Sequence, residues 1–183
     1  METSKLRAMV ISAAMAALAL ILPVAFHAVG LGSKFLPMLL PLLLNGFLVP
    51  VPWAIFAGAI VPLVSGLLTG MPPLYPPVAL IMSCEGAILG GMAAAIYRVT
   101  RPRIWLALIL AIVCGRAASF ALTWWLSGKF GLPPALASLG TFVQALPGVA
   151  LQLAVVPVVV RALSRRKEIL FGYDYKPQAP PLQ

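Results

Sequence analysis

Four polar side chains stand where an apolar chain has least reason to keep them. Glu85 lies inside Pro77-Val-Ala-Leu-Ile-Met-Ser-Cys-Glu85-Gly-Ala-Ile-Leu-Gly-Gly and is the sole acidic residue between Glu2 and Glu168. Arg116 is stranded the same way in Ile-Val-Cys-Gly-Arg116-Ala-Ala-Ser-Phe. An ionisable group at such depth in a bilayer costs roughly 3 kcal/mol, so the default reading is a function or a buried partner. The carboxylate accepts hydrogen bonds from an amine or ring N–H, or holds the guanidinium ready for an anionic group. Asn45 and Gln144 supply neutral hydrogen bonds. Counted at about 1.5 Å per residue from the outer ends of their spans, Glu85 falls roughly 12 Å deep, Arg116 roughly 16 Å, and Asn45 and Gln144 roughly 13 Å. Four side chains on four spans thus share one expected layer, which points to a polar site. The plainer alternative is that they join helices by interhelical hydrogen bonds.

The remaining candidates lie further out. His27, the only histidine, follows Pro23-Val-Ala-Phe at the outer end of the first span, as a binding residue or an interfacial one. Two outer loops are rich in glycine and proline: Gly30-Leu-Gly-Ser-Lys-Phe-Leu-Pro37-Met38 and Thr69-Gly-Met-Pro-Pro-Leu-Tyr-Pro-Pro77. Proline stiffens a loop and glycine permits tight turns. With Met71, Leu74 and Tyr75 the second loop reads as an apolar lid, or else as a plain connection. Trp124 and Trp125 are belt residues or a stacking surface for a flat ligand. One histidine with one nearby glutamate makes no metal cage, so no metal or cofactor is expected. HExxH, GxxxxGK[ST], GxSxG and CxxC are all missing, so neither catalysis nor ATP hydrolysis within this chain is indicated. Cys84 and Cys114 read as small packing residues.

These side chains need elements to hold them. Hydrophobic residues make up 62% of the 183 residues and charged residues 9%, against about 25% charged in a soluble domain. Such a chain belongs in a membrane, where backbone groups are paired within helices or a closed barrel. The apolar runs are continuous rather than alternating, which selects helices. The expected fold is all-α: one bundle of six transmembrane helices at 8–27, 36–50, 53–69, 77–97, 104–127 and 135–162. Spans two and three are short, and the pair also fits a bent or re-entrant hairpin. Residues 1–7 form an N-terminal segment, 8–163 the membrane domain, and 164–183 a basic, proline-rich tail. The opening segment lacks a clean cleavage site, so it is not read as a signal peptide.

The net charge of +9 suggests nucleic acid only until its distribution is considered. The basic residues flank the spans. With the N-terminus inside, Lys5, Arg7, Arg98, Arg101, Arg103, Arg161, Arg165, Arg166, Lys167 and Lys176 lie on the cytoplasmic side and only Lys34 and Lys129 outside. That bias predicts cytoplasmic termini, with membrane lipid rather than nucleic acid as the surroundings. Span one carries small residues at helical spacing, Ala8, Ser12 and Ala16 with Ala13 and Ala17 beside them, and span four carries Gly86, Gly90 and Ala94. Such faces admit another helix closely; on span one an external partner is expected.

The series His27…Phe35-Leu-Pro-Met38…Pro41…Gly46-Phe47…Pro62-Leu63…Ser65…Leu68-Thr-Gly-Met-Pro-Pro73…Met82…Glu85…Gly90 resembles the substrate-binding S components of energy-coupling factor (ECF) vitamin transporters, over roughly residues 5–165. The Thr-Gly-Met-Pro-Pro turn followed a dozen residues later by a buried glutamate is its most specific part. The resemblance implies a six-helix protein of a prokaryotic plasma membrane that binds a small nutrient at the outer face. It also implies a transmembrane coupling subunit and two cytoplasmic ATPases as partners, docked through the small-residue face that includes Ala13 and Ala17. A facilitator acting alone is the competing reading.

Overall fold

The computed structural model describes residues 2–28, 30, 32–75, 77–100, 103–130 and 143–164. The expected tail beyond Ser164 and the start of the sixth expected span lie outside these residues. Within them the chain is helical: α1 (Glu2–Ala28), the single turn α2 (Gly32–Phe35), α3 (Leu39–Leu48), α4 (Val51–Thr69), α5 (Val78–Val99), α6 (Ile104–Phe130) and α7 (Leu146–Ser164). Five of these, α1 and α4 to α7, are long and apolar enough to cross a membrane.

The other, α3, has only 10 residues, about 15 Å of helix and half a hydrocarbon core. It is nonetheless the centre of the bundle. Leu39, Leu42, Leu43 and Asn45 are completely buried, and α3 packs on α1, α4, α5 and α7. Its continuously apolar sequence fits a helix enclosed on all sides by protein rather than by lipid. The expected second span was therefore right in place but too long at both ends. Prolines explain the break: Pro50 caps α4 with an extended backbone and Pro52 occupies its first turn, where a missing N–H is harmless. At the far end of α4, Gly70 adopts φ 70° and its N–H closes on the Gly66 carbonyl, the left-handed stop that glycine accommodates without a Cβ clash.

Small residues set the helix spacing on α5. A Cβ at Gly86 would come within 2.7 Å of the Gly58 carbonyl oxygen, and one at Gly90 within 3.1 Å of the Ala54 carbonyl oxygen. The small-residue row read on the fourth span is thus spent on internal packing against α4. We expect Gly58→Val to destabilise the folded chain by about 1–3 kcal/mol, the usual cost of overpacking. A lowered Tm in detergent checks it; an unchanged Tm contradicts the close approach of α4 and α5.

On α1 the small residues divide. Ala8 and Ser12 are buried and face the bundle, whereas Ala13 and Ala17 are exposed, on the same outward stripe as Val10, Leu18, Ile21 and Val24.

Candidate functional site

Arg116 and Glu85 meet. Nη1 of Arg116 lies 2.9 Å from Oε1 of Glu85, and Glu85 is almost wholly buried. Backbone approach makes this possible. A Cβ at Gly115 would already stand 3.2 Å from Leu89 and 3.6 Å from the Glu85 carbonyl oxygen, so α6 presses on α5 one residue before Arg116. Ser119, one turn along α6, also faces the Glu85 carboxylate. The ion pair is close in distance but poorly aligned, because Oε1 receives no hydrogen bond of acceptable geometry. Coulomb attraction survives such misalignment; directional hydrogen bonding does not. The carboxylate therefore retains accepting capacity.

Asn45 does not join this pair. Its Oδ1 accepts a hydrogen bond from Ser12 Oγ at 3.3 Å, and Ser12 lies about 24 Å from the C-terminal end of α1. Position 46 approaches Gly90 and Ala93, five and eight residues deeper than Glu85, or roughly 8–12 Å. The expected single layer is thus two layers. The helices do not start level: α2 and the turn at 36–38 occupy the first part of the expected second span and set α3 further into the bundle. Asn45 keeps Nδ2 unpartnered while its oxygen ties α3 to α1.

Gln144 is exposed, just before α7 begins. Its depth had been counted from residue 135. With the helix starting at Leu146, Gln144 lies outside the buried layer. The buried amide of this segment is Gln152, with neither Nε2 nor Oε1 partnered. It is not among the candidates read from the sequence: Gln152 stands within Leu-Gln152-Leu-Ala-Val-Val, eight residues beyond Gln144. Ser83 Oγ on α5 is a further buried polar atom without a partner.

The outer candidates occupy the rim. His27 is exposed; its Nδ1 donates to the Pro23 carbonyl at 2.7 Å, and its ring lies directly against Gly32 of α2. Phe26 and Phe35 pack beside it with ring centroids 5.9 Å apart. The second loop is pinned rather than loose: Ser65 Oγ donates to the Met71 carbonyl at 2.6 Å, and Thr69 Oγ1 bonds the carbonyls of Ser65 and Met71. Met71, Leu74 and Tyr75 are exposed, Tyr75 to 79%. Trp124 and Trp125 also point outward, with Lys129 Nζ 4.3 Å from the Trp125 ring centroid, the arrangement of an interfacial anchor. Among the described residues no cluster of three or more histidine, cysteine or acidic side chains is placed to hold a metal ion.

A family model described as ECF transporter, substrate-specific component, matches residues 7–160. Neither curated proteins nor solved structures gave a significant match.

Proposed function

This chain belongs to the family of ECF transporter substrate-specific components, and from that premise we propose that it captures a small polar nutrient at the outer face of a prokaryotic plasma membrane for ATP-driven uptake. The observation that carries this reading is the Glu85–Arg116 pair, held at 2.9 Å within the membrane-spanning part of the bundle, whose carboxylate has lone pairs left to accept from a ligand. A charge of each sign suits a polar or zwitterionic ligand better than an apolar one, since binding sites fix orientation with a few placed polar groups. Gln152 supports the reading as a second buried hydrogen-bonding point. His27, against α2, and the exposed Met71, Tyr75 and Trp124 are the candidate rim contacts.

In this reading energy comes from a coupling subunit and two ATPases, the partners that the family implies. The distribution of basic residues supports cytoplasmic termini, and in that orientation the end of the bundle bearing α2, Gly70 and Trp124 faces out.

One composite experiment tests the reading. Cysteine introduced at Ser127 should label from outside intact cells, and cysteine at Thr100 only after permeabilisation, in a background lacking Cys84 and Cys114. In liposomes, uptake of the nutrient that co-purifies with the chain should require the partner subunits and ATP. Uptake by this chain alone would instead establish a facilitator.

A further inference from the structure

Gln152 is enclosed without a partner. Its side chain is 1% exposed, and both amide atoms lack a hydrogen bond. A primary amide brings two donors and one acceptor. Leaving such groups buried and unpaired is unfavourable, and methionine would fill the same volume without that cost. Asn45 is a useful contrast, since one end of its amide is already engaged by Ser12.

Position points the same way. Gly148 and Gln152 lie one turn apart on the buried stripe of α7. A Cβ at Gly148 would stand 2.5 Å from the Phe35 carbonyl oxygen, so α2 lies over this turn and Gln152 sits about 6 Å beneath it. From α3, Leu42 reaches to within 3.3 Å of a Cβ built at Gly86, the neighbour of Glu85. The helix carrying Arg116, α6, packs on both α5 and α7. Gln152 and Glu85 therefore lie at comparable depth, on helices that share α3 and α6 as neighbours.

We propose that Gln152 reads an amide-like edge of the ligand, one N–H beside one C=O, as carried by a carboxamide, lactam, imide or cyclic urea. This rests on the substrate-binding reading above. Nε2–H donates to the ligand carbonyl and Oε1 accepts from the ligand N–H, so one edge satisfies both orphaned atoms. A carboxylate fits badly because it offers only acceptors and leaves Oε1 facing a lone pair. An N-methylated edge fits badly because it has lost its donor. In this structure α2 covers the amide, and α2 is a single turn followed by Leu36 at φ 45°, a left-handed backbone that leucine rarely adopts.

The test uses the full chain in detergent, with calorimetry and thermal shift. Nicotinamide, biotin and riboflavin serve as probes bearing the edge; N,N-dimethylnicotinamide and N3-methylriboflavin lack its N–H, and nicotinate replaces the amide by a carboxylate. At least one edge-bearing probe is expected to bind, and its altered counterpart to bind on the order of tenfold to hundredfold more weakly. Gln152→Met should weaken the favoured probe by a similar factor and abolish the difference between probe and counterpart, without lowering the ligand-free Tm. If that variant does not fold, Gln152→Asn keeps the amide but withdraws it by one methylene, and should lose a similar factor. Equal binding by variant and wild type, or unchanged discrimination against the altered probes, overturns the assignment. So does binding by none of the three edge-bearing probes; ATP-driven uptake with partner subunits would then still stand as evidence for an S component, with another ligand class.

Discussion

Glu85→Leu is expected to destabilise the bundle by about 2–4 kcal/mol, because it strands the mostly buried Arg116 guanidinium within the bundle without its partner. Arginine does not shed its charge in proteins. Arg116→Leu should cost less, since a lone carboxyl group has a neutral form available. The double variant Glu85→Leu/Arg116→Leu should recover much of the loss, as buried ion pairs replaced by apolar residues of similar size are often neutral in stability. That recovery separates structure from function. Were the pair only an interhelical tie, the stable double variant would bind the nutrient normally. If it is a site, affinity should stay about 2–5 kcal/mol weaker in the double variant and in Glu85→Gln. Thermal unfolding in detergent gives the first quantity and calorimetry with the co-purified nutrient the second. Full binding by a folded double variant would assign Glu85 and Arg116 to holding α5 against α6 and nothing more.

That pair was legible in the sequence for a simple reason. Two lone charges of opposite sign in apolar runs have few partners available, so their meeting follows from the cost of leaving either alone. The ends of α4, α5 and α6 were legible too, because proline, glycine and basic residues punctuate them. Depth was not legible. It depends on where each helix begins relative to the others, and α2 with the turn at 36–38 displaces α3 inward without any marker in the apolar pattern of Leu39–Leu48. The same cause moved Asn45 away from Glu85. Gln144 and Gln152 lie eight residues apart on one segment, and only the start of α7 at Leu146 decides which of them is enclosed. The division of the small residues on α1 was half legible: helical spacing groups Ala8 with Ser12, but only packing shows that Ala13 and Ala17 face away.

Those two alanines carry the prediction with the largest effect on transport. The outward stripe of α1 is apolar and smooth at Ala13 and Ala17, flanked by exposed Val10 and Ile21. Small residues let a second helix approach until backbones nearly touch, and in a membrane that close van der Waals contact supplies much of the association energy. In a family whose members bind substrate for a larger transporter, this stripe is the expected dock for the coupling subunit. Ala13→Trp with Ala17→Trp should hold that helix away. Folding should be unaffected, since neither side chain is packed in the bundle, and nutrient affinity should match the parent, because both residues point away from α3 and from the Glu85–Arg116 pair. Uptake in liposomes with partner subunits and ATP should fall at least about tenfold, which a loss of about 1.4 kcal/mol in docking would already produce. The paired readout is decisive in both directions. Normal uptake by the double tryptophan variant would remove α1 as the dock. Lost affinity alongside lost uptake would mean that the outward stripe reaches the site after all, and that the coupling face must be sought on another helix.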